Sequence, residues 1–296
     1  MLSAMARRPA PAYLALLLGA GLALAAAGCA PADDDTPDQA TSPGAGLQCG
    51  KESLKTKVAG KLTVGTDEPA YEPWFTDNKP ENGEGFESAV AYAVADELGY
   101  AKDEVVWTRV TFNNAIAPGP KPYDMDINQF SITDERRKAV DFTGPYYLVR
   151  QTVIALNDSK IAGAKTLADL KAAKLGAQVG TTSYDAIVKL IAPTAKPSVY
   201  NSNDDGKKAL QNKQIDGLVV DLPTAFYMTA VEIEGSKIVG QLPQLGVPEQ
   251  FGIVLDKGSP LTGCVTQAVD RLRADGKLTE LEQKWLAQVA GAPELA

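Results

Sequence analysis

From Lys61 onward, short apolar runs alternate with segments in which apolar residues recur every three to four positions. The run from Lys61 to Thr66 predicts a strand ending in a turn. Phe86, Val90, Ala93, Val94 and Leu98 then line one face of a helix that Gly99 stops. Strands are predicted near Glu104 to Arg109, Asp124 to Phe130 and Ala139 to Phe142, and again from Leu148 to Leu156. A second series follows: a strand at Lys174 to Val179, helices at Tyr184 to Ile191 and Asn203 to Asn212, and a strand from Ile215 to Asp221 that runs into a helix at Leu222. The tail from Pro260 to Val289 predicts two helices separated at Asp275 and Gly276. Such alternation predicts an α/β protein whose sheets are mostly parallel and covered by helices on both faces. About 240 residues of this pattern exceed one comfortable core, so two lobes are expected.

The pattern before Lys61 is different. Arg7 and Arg8 precede an apolar run from Tyr13 to Leu24 and then Ala25-Ala26-Ala27-Gly28-Cys29, which reads as an export signal over residues 1 to 28. The run is shorter than the roughly 18 to 20 residues that span a bilayer. The small residues ending in Gly-Cys resemble a bacterial lipobox, with Ala26 where leucine is usual. On that reading Cys29 becomes the lipidated first residue, anchoring the chain to the outer face of the cell membrane; the alternative is a secreted protein cut nearby. Residues 29 to 48, rich in Asp, Ala and Pro, lack the apolar content to pack and predict a disordered tether that extends on the order of 60 Å.

Composition narrows the chemistry. Loss of Arg7 and Arg8 with the signal reduces 29 basic side chains to 27 against 37 acidic ones, a net charge of −10. No basic cluster is present, so nucleic acid is not expected as a partner, whereas an acidic surface attracts a cationic ligand. The chain has no histidine, which excludes Ser-His-Asp and Cys-His catalysis. With Cys29 acylated, Cys49 and Cys264 form an even pair in an oxidising compartment and are expected to be disulfide-bonded, two reduced thiols being the alternative. Neither a metal site nor a cofactor is expected.

Ligands of open α/β sheets bind at the carboxyl ends of strands, and four polar clusters fall there. In Thr66-Asp67-Glu68-Pro69-Ala70-Tyr71-Glu72-Pro73-Trp74, aromatic rings near acids suit stacking on a flat or cationic group; alternatively the rings cover the edge of the core. Asn128, Gln129 and Ser131 precede Thr133-Asp134-Glu135-Arg136, a capped helix start whose free amides and guanidinium suit a carboxylate. Gly180-Thr181-Thr182-Ser183 stands between a strand and a helix, where Thr182 and the helix amides could join Arg136. Asp221 ends an apolar run, and a buried carboxylate needs a partner that a ligand's ammonium would supply. A cation for a carboxylate, an anion for an amine and rings for a side chain make up the chemistry of a zwitterionic amino acid.

These residues resemble the bacterial solute-binding proteins for polar amino acids, the receptors of ABC importers. The resemblance runs from Lys61 to Leu286 through V-G-T-D-E-P-A-Y-E-P-W, G-F-E-S-A-V-A-Y-A-V-A-D-E-L-G, S-I-T-D-E-R-R-K-A-V-D-F-T-G-P-Y-Y, T-L-A-D-L-K-A-A-K-L-G-A-Q-V-G-T-T, I-D-G-L-V-V-D and A-V-D-R-L-R-A-D-G-K-L-T-E-L-E-Q-K-W. It implies a hinged, two-lobed periplasmic-binding-protein fold of type II, a monomer, and a membrane permease as partner. It implies that Arg136, third after the threonine of S-x-T-x-x-R, clamps the ligand carboxylate with Ser131 and Thr182. It further implies that Asp221 takes the α-amino group, that Tyr71 packs on the side chain and that Asp67 meets a distal cationic or amide group. Trp74, Asn128, Gln129 and Ser183 complete the expected binding set.

Crossings near Leu148 to Val153 and Val247 to Gly252 assign residues 49 to 149 and 251 to 296 to one lobe and 150 to 250 to the other. The family's helix usually reads G-F-D-V-D where this chain has Gly85-Phe86-Glu87-Ser88-Ala89, so the side chain recognised is left open between a basic one and glutamine or glutamate. Two rival readings remain: a dehydratase for cyclohexadienyl acids on the same fold, with Asp221 or Glu68 as the acid, and a surface lipoprotein that senses a ligand without feeding a transporter.

Overall fold

The computed structural model describes residues 47 to 244, 246 to 286 and 291 to 296. The export signal, the lipidation site at Cys29 and the tether up to residue 46 lie outside the described residues.

Two five-stranded sheets form the core of the two lobes. Strands β1 (Leu62–Thr66), β2 (Val105–Arg109), β3 (Met125–Asp126) and β4 (Val140–Val149) share one sheet with the late strand β10 (Glu249–Asp256), in the order β2-β1-β3-β10-β4. The other sheet holds β5 (Gln151–Leu156), β6 (Leu175–Gln178), β7 (Ser198–Tyr200), β8 (Gly217–Asp221) and β9 (Ser236–Gln241), in the order β7-β6-β8-β5-β9. In each sheet two pairings are parallel and two antiparallel. The sheets are therefore mixed rather than mostly parallel, because β5 and β10, which follow the crossings between lobes, enter their sheets against the direction of their neighbours.

Helices cover the sheets where the periodicity places them. α1 (Phe86–Glu97) packs with the C-terminal pair α7 (Thr262–Ala274) and α8 (Lys277–Leu286), burying Phe86, Val90, Val94, Val265, Val269 and Leu281 against β1 and β10. The short helices α2 (Phe112–Ile116) and α3 (Asp134–Arg137) belong to the first lobe, and α4 (Thr182–Ala186), α5 (Asn203–Gln211) and α6 (Leu222–Tyr227) to the second. Cys49 and Cys264 form a disulfide, their Cα atoms 5.2 Å apart, which ties the start of the folded chain to α7.

Strands β7, β9 and β10 were not expected from the periodicity, and two further features depart from it. The strand expected over Asp124 to Phe130 forms a ladder only at Met125 and Asp126, because Gln129 adopts a left-handed conformation with φ +49° and breaks the run before the chain returns to β10 by a single bridge at Ser131. The continuous strand expected from Leu148 to Leu156 is interrupted at Arg150, which separates β4 of one sheet from β5 of the other.

The chain crosses between lobes at Val149 to Gln151 and again between Gln241 and Glu249. Assignment of all of residues 251 to 296 to the first lobe is corrected by a further crossing after α8. Leu295 is buried in the second lobe's core, its amide bonds to Gln241 O at 2.9 Å, and the Ala296 amide bonds to Lys165 O at 3.1 Å. Gly240 makes room for it, since a Cβ there would lie 2.8 Å from Leu295 Cγ. Glu294 also pairs with Arg150 at the first crossing. Among the described residues no helix is long and apolar enough to cross a membrane, and no group of three or more acidic or cysteine side chains is placed to hold a metal ion.

Candidate ligand-binding cleft

The guanidinium of Arg136 is the best-defined group of the cleft. Thr133 caps α3, its hydroxyl accepting from the Arg136 amide at 3.2 Å, so the helix start that the sequence marked is formed. Arg136 is 9% exposed and lies over the Phe112 ring, 5.2 Å from its centroid. Its Nη1 donates to Ser131 O at 2.7 Å, and Nη2 reaches across to the second lobe, donating to Gly180 O at 3.0 Å. Burial lowers its pKa to about 10, opposed by the charges of Glu249, Asp221 and Asp185, and the group stays cationic at neutral pH.

Asn128, Gln129 and Ser131 reach the cleft through a loop that Glu87 holds from behind. The Glu87 carboxylate, fully buried at the start of α1, accepts the Gln129 amide at 2.7 Å as well as the Gln129 side chain and the Tyr146 hydroxyl. These bonds offset the cost of the left-handed backbone at Gln129. Burial pushes Glu87 up to about 7, against the pull of its three donors. Glu87 thus acts from beneath the cleft.

The second lobe contributes the opposing wall. Thr181, one residue earlier than Thr182, caps α4 by accepting from the Tyr184 amide at 3.3 Å. Gly180 turns the chain there with φ +75°, and a Cβ would meet Asn113 Oδ1 at 2.7 Å, so only glycine lets the first lobe approach. Thr182 thereby faces Ser131, their hydroxyl oxygens 3.1 Å apart. Ser183 donates to Gln151 Oε1 at 2.6 Å, and Gln151 Nε2 donates to Asp221 Oδ1 at 2.8 Å. Asp221 ends β8 and is pushed up to about 8 by burial first and the neighbouring charge of Glu249 second, with Gln151 and Arg136 opposing.

Tyr71 and Asp67 stand at the mouth. The Tyr71 hydroxyl accepts from the Asp204 amide of the second lobe at 3.3 Å. Asp67 is engaged by backbone, accepting from Glu68 at 2.7 Å and from Phe112 at 3.1 Å, and burial raises its pKa above the ordinary carboxylate value. Together Asp67, Tyr71, Asn128, Gln129, Ser131, Arg136, Thr182, Ser183 and Asp221 line one enclosed space of about 30 Å³, room for one or two waters and not for an amino acid.

Trp74 is the exception among the expected residues. Its ring is fully buried among Phe86, Tyr147 and Phe251, outside that lining, and follows the alternative in which the loop's rings cover the core. Phe112, Gln151, Glu249 and Glu87 were not anticipated. Gln151 carries a signal, as a polar residue opening an apolar strand, and Glu87 marks a departure from the usual helix start; Phe112 and Glu249 reach the site only through tertiary contacts.

The model of the bacterial extracellular solute-binding proteins, family 3, matches residues 62 to 288, the span that contains every one of these residues. The chain belongs to that family. This solute-binding protein is 31% identical over 250 residues to an L-arginine-binding protein of Pseudomonas aeruginosa, covering 79% of this chain and 92% of that one. It superposes on an ancestral arginine-binding protein bound to arginine with a TM-score of 0.63 at 32% identity, covering 76% of this chain and 98% of the other. An ancestral arginine-binding protein bound to glutamine gives 0.64 at 30% identity, with 77% and 98% covered. The two-lobed, type II architecture and a place among extracytoplasmic binding proteins follow from these likenesses.

Proposed function

We propose that this protein is an extracytoplasmic receptor that takes a polar amino acid between its lobes, closes on it and presents it to the permease of an ABC importer, acting as a monomer by binding alone. The observation that carries the reading is the placement of a buried cation, Arg136, and a partly buried acid at the end of β8, Asp221, in the same small cleft. Arg136, with the hydroxyls of Ser131 and Thr182, takes the α-carboxylate. Asp221 takes the α-ammonium, and Tyr71 and Asp67 face the side chain.

Charge-assisted hydrogen bonds contribute roughly 1.5–3 kcal/mol each. A few of them, with burial of the side chain, suffice for micromolar affinity, near −8 kcal/mol. Acidic groups outnumber cations around the space, which favours a basic side chain, with glutamine or glutamate as the alternative. The relatives named for arginine and glutamine support that choice. Lipidation at Cys29 would keep the receptor at the membrane, and mass spectrometry of the mature N-terminus checks it.

A thermal-shift screen over the twenty amino acids identifies the ligand, since one at 100 times its Kd stabilises the fold by about 2.7 kcal/mol. Arg136→Ala then abolishes binding while leaving the circular-dichroism spectrum unchanged. Near-normal affinity of that variant in calorimetry would sink the assignment.

A further inference from the structure

Glu249 stands where a ligand's carboxylate is expected. It opens β10 at the second crossing, and its Oε1 accepts a 2.6 Å hydrogen bond from Ser131 Oγ, the hydroxyl that faces Thr182. Gln151 Nε2 donates to the two Glu249 oxygens at 3.2 and 3.1 Å while also serving Asp221. One hydroxyl and one amide thus hold an anion beside the guanidinium of Arg136, and an incoming carboxylate needs the same donors.

Space is distributed in a way that allows exchange. The cleft in front holds about 30 Å³, too little for an amino acid. Behind Glu249 lies a cavity of about 370 Å³ at the hinge, walled by Ile132 of the first lobe, by Leu190 of the second, and by Val149, Leu242 and Val247 around the crossings. Glu249 and Gln151 line this cavity, and Thr182 lines both spaces, so these three side chains form the partition between them. Rotation of Glu249 about its own side-chain bonds draws the carboxylate away from Ser131 and deeper into the hinge cavity that it already lines, without disturbing the pairing of β10.

We propose that Glu249 is a tethered surrogate for the ligand's carboxylate, occupying the anion subsite of the empty protein and yielding it to the ligand by swinging into the hinge cavity. The inference rests on the reading of the cleft given above. It makes Glu249 a specificity-determining residue. A ligand with a carboxylate inherits Ser131 and Gln151 as donors and compensates their loss from Glu249. One without a carboxylate leaves Glu249 in place and gains nothing from its removal. The surrogate also satisfies the donors of the empty cleft, which would otherwise be buried without partners.

The test is calorimetry on wild type and Glu249→Gln with two matched pairs: L-arginine and agmatine, and L-glutamine and 4-aminobutanamide, each amine lacking only the carboxylate. Glu249→Gln is expected to bind the amino acid on the order of tenfold tighter, about 1.4 kcal/mol, with no gain for the matching amine; an amine too weak to measure in either protein counts as no gain. Glu249→Asp, which keeps the charge but shortens the arm, is expected to tighten the amino acid in the same sense. Unchanged or weaker amino-acid binding by Glu249→Gln, or an equal gain for the amine, overturns the surrogate role alone. A wild-type protein that binds none of the twenty amino acids overturns the reading of the cleft, and the surrogate falls with it.

Discussion

Trp74 Nε1 donates a 2.9 Å hydrogen bond to Thr224 Oγ1, joining the buried aromatic cluster of the first lobe to α6 of the second. Both residues are buried, and the bond stands beside the other bridges between lobes, Tyr71 to Asp204, Arg136 to Gly180 and Ser131 to Thr182. It is a latch between the two lobes.

Trp74→Phe removes the donor and keeps a ring in the cluster. A net hydrogen bond contributes about 0.5–1.5 kcal/mol, so ligand affinity is expected to fall by up to roughly two- to twelvefold through a smaller closed population. Calorimetry measures the affinity, and small-angle scattering of the ligand-free variant should show a larger radius of gyration. Equal affinity and equal radius would show that the latch does not bias closure.

Asp221 makes the empty protein sensitive to pH. Its carboxyl is pushed up to about 8 in the fold, against about 3.9 in an unfolded chain. Between those values the unfolded state binds fewer protons than the native one, so this contribution to stability is full below about pH 4 and is lost as pH rises through about 8. The melting temperature of wild type is therefore expected to fall more than that of Asp221→Asn between pH 5 and pH 9. Binding of an ammonium group favours the ionised acid, so ligand uptake at pH 7 should release up to one proton. Calorimetry in two buffers of different ionisation enthalpy reads that release, and Asp221→Asn should abolish it.

The Cys49–Cys264 disulfide spans 215 residues of sequence, and a cross-link over so long a loop restricts the unfolded chain strongly. Replacing both cysteines by alanine is expected to cost about 2–5 kcal/mol. Guanidinium unfolding of the two proteins checks the figure, and added reductant should destabilise only the wild type.

Much of the fold was legible because local sequence carries it. Period-four apolar spacing over Phe86 to Leu98 and in the C-terminal pair marked α1, α7 and α8, and Thr133 marked the cap of α3. The expected binding residues other than Trp74 share one space, since most of them sit at or just past a strand end or helix start, where local signals are strong. Gln129 was legible as a polar residue before the clamp but not as the left-handed turn that ends β3, because that turn depends on Glu87, 42 residues away.

Local pattern by itself determined the alternation of strands and helices, the helix start that aims Arg136, and the acid that closes β8. Tertiary structure alone decided which of two readings held for Trp74, where the last residues cross back to the second lobe, and that Glu249 meets Ser131. The physical reason is the range of the interactions: caps and amphipathic faces act within a turn or two of chain, whereas burial of a ring and the pairing of a carboxylate depend on partners brought from 118 or 150 residues away.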